Sequence, residues 1–175
     1  MSWAWLNPAL FLQFKNKCLK SFKEVLQAQC ATYHLRCIKD SSRLLLYANV
    51  KTIFGMEKYL DHIPDFKIRN AISKLRLVSH NLEIETGRWA PRITRENRYC
   101  TSCNSNTIGD EYHIVMKCVK FETTRFFYLP FLSETPCNLF HFNKLFQCRD
   151  IEVTINLGKY LCNTFKVLKQ QKLQT

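Results

Sequence analysis

Apolar positions recur at three- and four-residue steps along most of this chain, the signature of amphipathic helices. From Pro8 to about Cys37, Phe11, Phe14, Cys18, Phe22 and Val25 line one face, while Lys15, Lys20 and Lys23 lie off it. Asn7 suits a cap and Pro8 a first helical turn. The pattern predicts an N-terminal amphipathic helix over residues 1–40 that faces a core. A second helix is expected from about Lys39, capped by Ser41 or Ser42 and ended by Gly55. A short element closed by Pro64 follows. The clearest period comes next: Ile68, Ile72, Leu75 and Leu82 share a face, Arg69, Ser73, Arg76 and His80 form a neighbouring ridge, and Lys67 and Lys74 flank it. Asp65 suits the N-cap; Gly87 is a plausible stop, with an earlier break near Asn81.

Beyond Gly87, "RWAPRITRENR" has low regular propensity. "EYHIVMKCVKFETTRFFYLPFL" reads as helical up to Pro130 and "SETPCN" as a loop. Residues 139–172 give one or two further helices, with Ile151, Ile155, Leu157, Leu161, Phe165 and Leu168 as apolar positions. The expected fold is mostly α: a small helical domain with an inserted zinc loop that carries three cysteines and a histidine. The chain divides into the N-terminal helix (1–40), a central helical region (41–130) that holds the zinc loop (98–118), and C-terminal helices (131–175). With 4 Gly and 5 Pro in 175 residues, a turn-rich sandwich or barrel is disfavoured.

Charge changes the picture. The formal net charge is +12, which points to a polyanionic partner, nucleic acid first and an anionic membrane surface second. The apolar N-terminus lacks a basic n-region and is broken by Asn7 and Pro8, so no secretory signal is expected. An intracellular chain, nuclear or cytoplasmic, keeps its thiols reduced, and clustered cysteines then favour metal over disulfides.

Of the 9 cysteines, Cys100, Cys103 and Cys118 stand with His113 in the spacing C-x2-C-x9-H-x4-C. Two residues between Cys100 and Cys103 let one tight turn aim both sulfurs at a point. His113 and Cys118 are about 500° apart on an ideal helix, so both can ligate only if a helix ends or bends between them. Asn104, Ser105, Asn106 and Gly109 supply turn residues for the intervening loop. Four such ligands make a closed site suited to one structural zinc ion. Arg98, Lys117 and Lys120 stand close enough in sequence to offset its negative charge, and Asp110 or Glu111 is the candidate carboxylate to orient His113. The alternative is unligated buried thiols with a surface histidine. Cys137, His141 and Cys148 lack a C-x2-C pair and a fourth ligand, and read as core thiols with a satisfied histidine. Cys18, Cys30, Cys37 and Cys162 fall in helical patterns and are expected to be buried.

The run "SSRLLLYANVKTIFGMEKYLDHIP", "IRNAISKLRLVSHNLEIETGRW", "RYCTSCNSNTIGDEYHIVMKC" and "FETTR" resembles the region C-terminal to the polymerase domain in open reading frames of LINE-type (non-LTR) retrotransposons. The resemblance spans about Ser41 to Arg125. It implies that Cys100, Cys103, His113 and Cys118 bind zinc and that the motif helps hold nucleic acid near a reverse transcriptase. Gly109 departs from the family, which often has an acidic residue there; Val119 replaces a common proline and Phe121 a frequent tyrosine. The chain carries no polymerase Asp-Asp motif and no endonuclease constellation, and reads as a fragment, a decayed copy or a stand-alone tail.

The expected activity is therefore binding without catalysis. Lys67, Arg69 and Arg76 on the helical ridge, with Arg88, Arg92, Arg95 and Arg98 in the following segment, are candidate phosphate contacts. Trp89 is a candidate stacking platform for unpaired bases, and Tyr99 another. The partners expected are nucleic acid (RNA or DNA), with a reverse transcriptase or another protein as a second partner, and no membrane. The competing reading is a zinc-stabilised scaffold that touches protein alone. An enzyme is disfavoured: the zinc deaminases place H-x-E before their Cys pair, and no nucleophile triad or Gly-rich phosphate loop is present.

Overall fold

The computed structural model describes residues 8–41, 43–89, 91–103 and 105–173, so the caps assigned to Asn7 and Ser42 and the turn role of Asn104 lie outside them. Among the described residues the fold is helical and has no sheet; an isolated antiparallel bridge pairs Tyr99 with Ile108. The helices are α1 (Pro8–Asp40), α2 (Leu45–Val50), α3 (Lys58–His62), α4 (Phe66–Arg76), α5 (Glu83–Thr86), α6 (Glu122–Tyr128), α7 (Leu139–Gln147) and α8 (Ile151–Lys172).

The centre of the molecule is the pairing of α4 with α8. The apolar face read from the sequence, Ile68, Ile72 and Leu75, meets Leu157 and Leu161, and all are buried. Gly158 makes the close approach possible: a Cβ there would overlap Ile68 Cγ2. One core cluster runs from Leu46 to Leu168, so residues 41–130 and 131–175 fill it jointly.

Helix α4 starts where the pattern places it, with the Asp65 carboxylate accepting the Lys67 N–H at 2.7 Å. It stops well before Gly87. The Ser79 N–H reaches the Lys74 carbonyl and the Val78 N–H that of Leu75, a Schellman ending. The left-handed position is Val78 (φ 52°), a conformation β-branched residues rarely adopt. Burial of its side chain and a bond from Arg43 to its carbonyl hold it there.

The second helix is shorter than expected. Ser41 Oγ accepts the Leu44 N–H, but α2 ends at Val50. Lys51 then turns back to donate to the Gly55 carbonyl and pair with Glu57, which bends residues 51–57 into a loop. The helix read from Glu111 to Pro130 is interrupted: a π-turn over His113–Lys117 and a 3-10 turn over Val119–Phe121 precede α6.

The largest departure is α1. Its apolar stripe does not face the core: Phe11, Phe14, Phe22 and Val25 are exposed, as is every residue from 9 to 30. Cys18, Cys30 and Cys37 are exposed with it, not buried. The helix meets the domain near its end, where Ile38 is buried against the rest and His34 meets the Phe54 ring edge-on. Periodicity fixes that a helix has an apolar side; it does not fix what that side meets.

Candidate metal centre

The Cys/His loop is built from two local units. In the first, the Tyr99–Ile108 bridge closes a hairpin: the Cys100 N–H donates to the Thr107 carbonyl at 2.8 Å and the Gly109 N–H to the Arg98 carbonyl at 2.9 Å. Asn106 takes a positive φ of 51° to complete the bend. In the second, the Asp110 carboxylate caps the next turn by accepting the His113 N–H at 2.8 Å. The Cys118 N–H then donates to the His113 carbonyl at 2.7 Å, a bond spanning five residues. This widened turn is the distortion the spacing demands, and it brings Cys118 round to the side of His113.

The side-chain donor atoms of Cys100, Cys103, His113 and Cys118 all lie within 4.8 Å of one another, and the cluster can hold a metal ion. Cys103 Sγ stands 3.3 Å from His113 Nε2. A tetrahedral zinc site with Zn–S bonds near 2.3 Å has edges of about 3.4–3.8 Å, so a shift of about an ångström closes the widest pair. Cys100, His113 and Cys118 are buried and Cys103 is half-buried. The Cys100 thiol is pushed down to about 3, first by its bond with Cys118, against the effect of burial. The Cys118 thiol is raised by that same bond and then by burial. The His113 imidazole is raised chiefly by its bond with Cys100. A divalent cation needs all three thiols and the imidazole deprotonated, so its binding would release the protons held on Cys118 and His113. Backbone N–H groups of Ser102 and Lys120 also reach Cys100 and Cys118, respectively.

The groups around the ligands differ from expectation. Neither Asp110 nor Glu111 orients the imidazole. His113 Nδ1 meets the Thr107 hydroxyl at 3.0 Å, and Thr107 meets Ser105 Oγ at 2.6 Å, which in turn lies 3.0 Å from Cys103 Sγ. Asp110 is committed to its cap, and Glu111 pairs with His80 at 2.9 Å, tying the loop to the α4–α5 connection. Arg98 and Lys117 do not face the sulfurs: Arg98 donates to the Ile84 and Ile93 carbonyls and Lys117 lies over the Tyr112 ring. No composition signal marks Thr107 or Ser105, because a hydroxyl serves equally well in any turn.

The centre is keyed to α5. Glu83 accepts the Thr101 hydroxyl at 2.7 Å, and the Ile84 N–H donates to the Gly109 carbonyl. A Cβ on Gly109 would fall 2.6 Å from Glu83 Oε2 and 3.1 Å from Cys100 Cα. A side chain at 109 therefore requires Glu83 to move and crowds the Cys100 backbone.

The second cysteine group does not converge. Cys137 and Cys148 are exposed, not core thiols. Cys137 packs beside the Tyr112 hydroxyl, while His141 is satisfied by Asn138.

The basic candidates sort into two sets. Arg76 is buried, paired with Glu57 at 3.1 Å and stacked over Tyr47 and Tyr59, so it is a fold element and presents no face to a phosphate. The ridge beside an apolar face was too close to the core to stay wet. Arg69 donates to the Ile63 and Pro64 carbonyls, Arg88 pairs with Glu85 at 3.0 Å, and Arg98 is spent on carbonyls. Lys67, Arg92 and Arg95 are exposed. Trp89 is 65% exposed and Tyr99 45%, so neither is core packing. Trp89, Arg92 and Arg95 thus share one segment whose ends are tied to α5 and to the hairpin. No family model, curated protein or solved structure matches this chain.

Proposed function

We propose that the chain is a zinc-stabilised, non-catalytic module that binds single-stranded or structured nucleic acid, related to the tail of non-LTR retrotransposon reverse transcriptases and acting inside the cell. The observation that carries this reading is the pinned segment of residues 87–89 and 91–98. Its base is fixed by Arg98 and by the Arg98–Gly109 bond to the hairpin, while Trp89, Arg92 and Arg95 face outward. Zinc suits three sulfurs and an imidazole better than a harder cation does, and four protein ligands leave no open position for chemistry. The indole offers a stacking face worth about 1–3 kcal/mol per base.

The test is fluorescence anisotropy with a labelled oligonucleotide across a salt series, beside metal analysis of the purified protein. One zinc per chain is expected, lost in Cys103→Ser together with binding. With two or three phosphates neutralised, log K against log salt should fall with a slope of about −1.5 to −2. A flat response with zinc still bound selects the scaffold reading, in which the metal fixes a surface for a protein.

A further inference from the structure

The geometry points to α1 as an amphipathic helix that lies on an anionic lipid surface. The sequence sets a membrane aside only while the stripe of Phe11, Phe14, Phe22 and Val25 is assigned to the core, and the structure leaves it in solvent. Residues 9–30 present no buried position at all. The helix meets the domain through Ala31, His34, Leu35 and Ile38, near its C-terminal end. At about 100° per residue those four fall on the side of α1 opposite the stripe. The domain therefore hangs from the polar side, and a flat surface can reach the whole stripe.

Charge decides the occupant. Lys17, Lys20 and Lys23 follow the polar side, and Lys15 borders the stripe on the Phe22 edge. Between residues 8 and 39 the only acidic residue is Glu24. A second copy packed stripe to stripe would bring both Lys15 side chains to the rim of the seam and set two helices of like charge side by side, with one glutamate per helix to offset them. An anionic bilayer accepts the phenylalanines between acyl chains, gives Lys15 a headgroup with its stem lying along the apolar face, and attracts the remaining lysines through its surface potential. No helix among the described residues is long and apolar enough to cross a membrane, so the helix lies on the surface and does not span it.

The experiment is vesicle flotation of the full chain on phosphatidylcholine alone and on phosphatidylcholine with about 30% phosphatidylserine. Two variants accompany it, Phe14→Ser/Phe22→Ser and Lys17→Glu/Lys20→Glu/Lys23→Glu. Both alter exposed positions only, and unchanged thermal melts and metal content certify folding. Binding to the anionic vesicles alone is expected, weakened roughly tenfold or more in each variant. Three outcomes overturn the proposal: no flotation, equal flotation on both vesicle types, or loss with the glutamates but none with the serines, which is adsorption by charge alone. A dimer in sedimentation equilibrium that the serines dissolve, without flotation, assigns the stripe to a second copy instead. None of these changes touches Arg92, Arg95 or the metal ligands, so the result is independent of nucleic-acid binding.

Discussion

The Tyr160 hydroxyl donates a 2.7 Å hydrogen bond to the Ile114 carbonyl, deep in the interior. Ile114 sits in the π-turn that swings Cys118 towards His113. Widening the turn hands the Cys118 N–H to His113 and leaves neighbouring carbonyls without their helical partners. Tyr160 takes one and Arg125 reaches that of Val115; Arg125 also donates to the Cys118 carbonyl, which accepts the Phe121 N–H. The longest C-terminal helix thereby supports the distortion on which the metal centre depends. Burial, the first cause, pushes the Tyr160 phenol up to about 12, so it remains a donor at any working pH.

Tyr160→Phe keeps the ring and strands the Ile114 carbonyl. A cost of about 1–3 kcal/mol is expected, read as a lower midpoint in urea unfolding. Because the missing bond supports the turn carrying Cys118, metal affinity measured by chelator competition should fall too. An unchanged affinity would mean that the turn holds its shape without α8.

Gly109→Ala tests the fit of the hairpin against α5. The added methyl meets Glu83 Oε2 and the Cys100 backbone, so the carboxylate must shift away from Thr101. A destabilisation of about 1–3 kcal/mol is expected from overpacking a closed site. An acidic residue at this position should cost more, because it brings a second carboxylate to Glu83. Equal denaturant midpoints for glycine and alanine would show that the hairpin and α5 have room to spare.

The residues of this centre differ in how far a reader of the sequence can reach them. The four donor residues are legible because ligand chemistry restricts residue type and spacing together. The need for a break between His113 and Cys118 is legible because a helix advances at a fixed angle. Helix α4 is legible from its period and its aspartate cap. Arg76 misleads because a guanidinium on a ridge looks the same whether solvent or Glu57 faces it. The stripe on α1 misleads for a like reason, since amphipathicity is a property of one helix and burial a property of two partners. Thr107, Tyr160 and Glu83 carry no local signature; their roles arise from chain segments brought together only by folding.

Arginines in the loop after α5 should divide cleanly in mutagenesis. Arg98→Ala removes bonds to the carbonyls of Ile84 and Ile93, and a loss of about 1–3 kcal/mol is expected in thermal or urea unfolding. Arg92→Ala/Arg95→Ala touches exposed side chains and should leave unfolding within about 0.5 kcal/mol of wild type. The double variant should instead flatten the salt dependence of oligonucleotide binding, by about 0.7 in slope for each phosphate of a single strand that is no longer neutralised. A double variant that binds with the parental slope would remove these arginines from the interface.

Thr107→Val isolates the hydroxyl that meets His113 Nδ1. Valine keeps the shape and removes the polar partner, so the imidazole loses the bond that fixes its ring while Nε2 still faces Cys103. Groups that hold a metal-ligating histidine typically account for about 10–100-fold in metal affinity. That loss is expected in zinc competition against a chromophoric chelator, with metal stoichiometry unchanged at saturation. Ser105→Ala, one step further along the hydroxyl chain, touches Cys103 and Thr107 but not the ring, and should lose less. If Thr107→Val binds zinc as tightly as the parent, the imidazole is held by packing alone, and the hydroxyl chain is a feature of the hairpin with no part in metal binding.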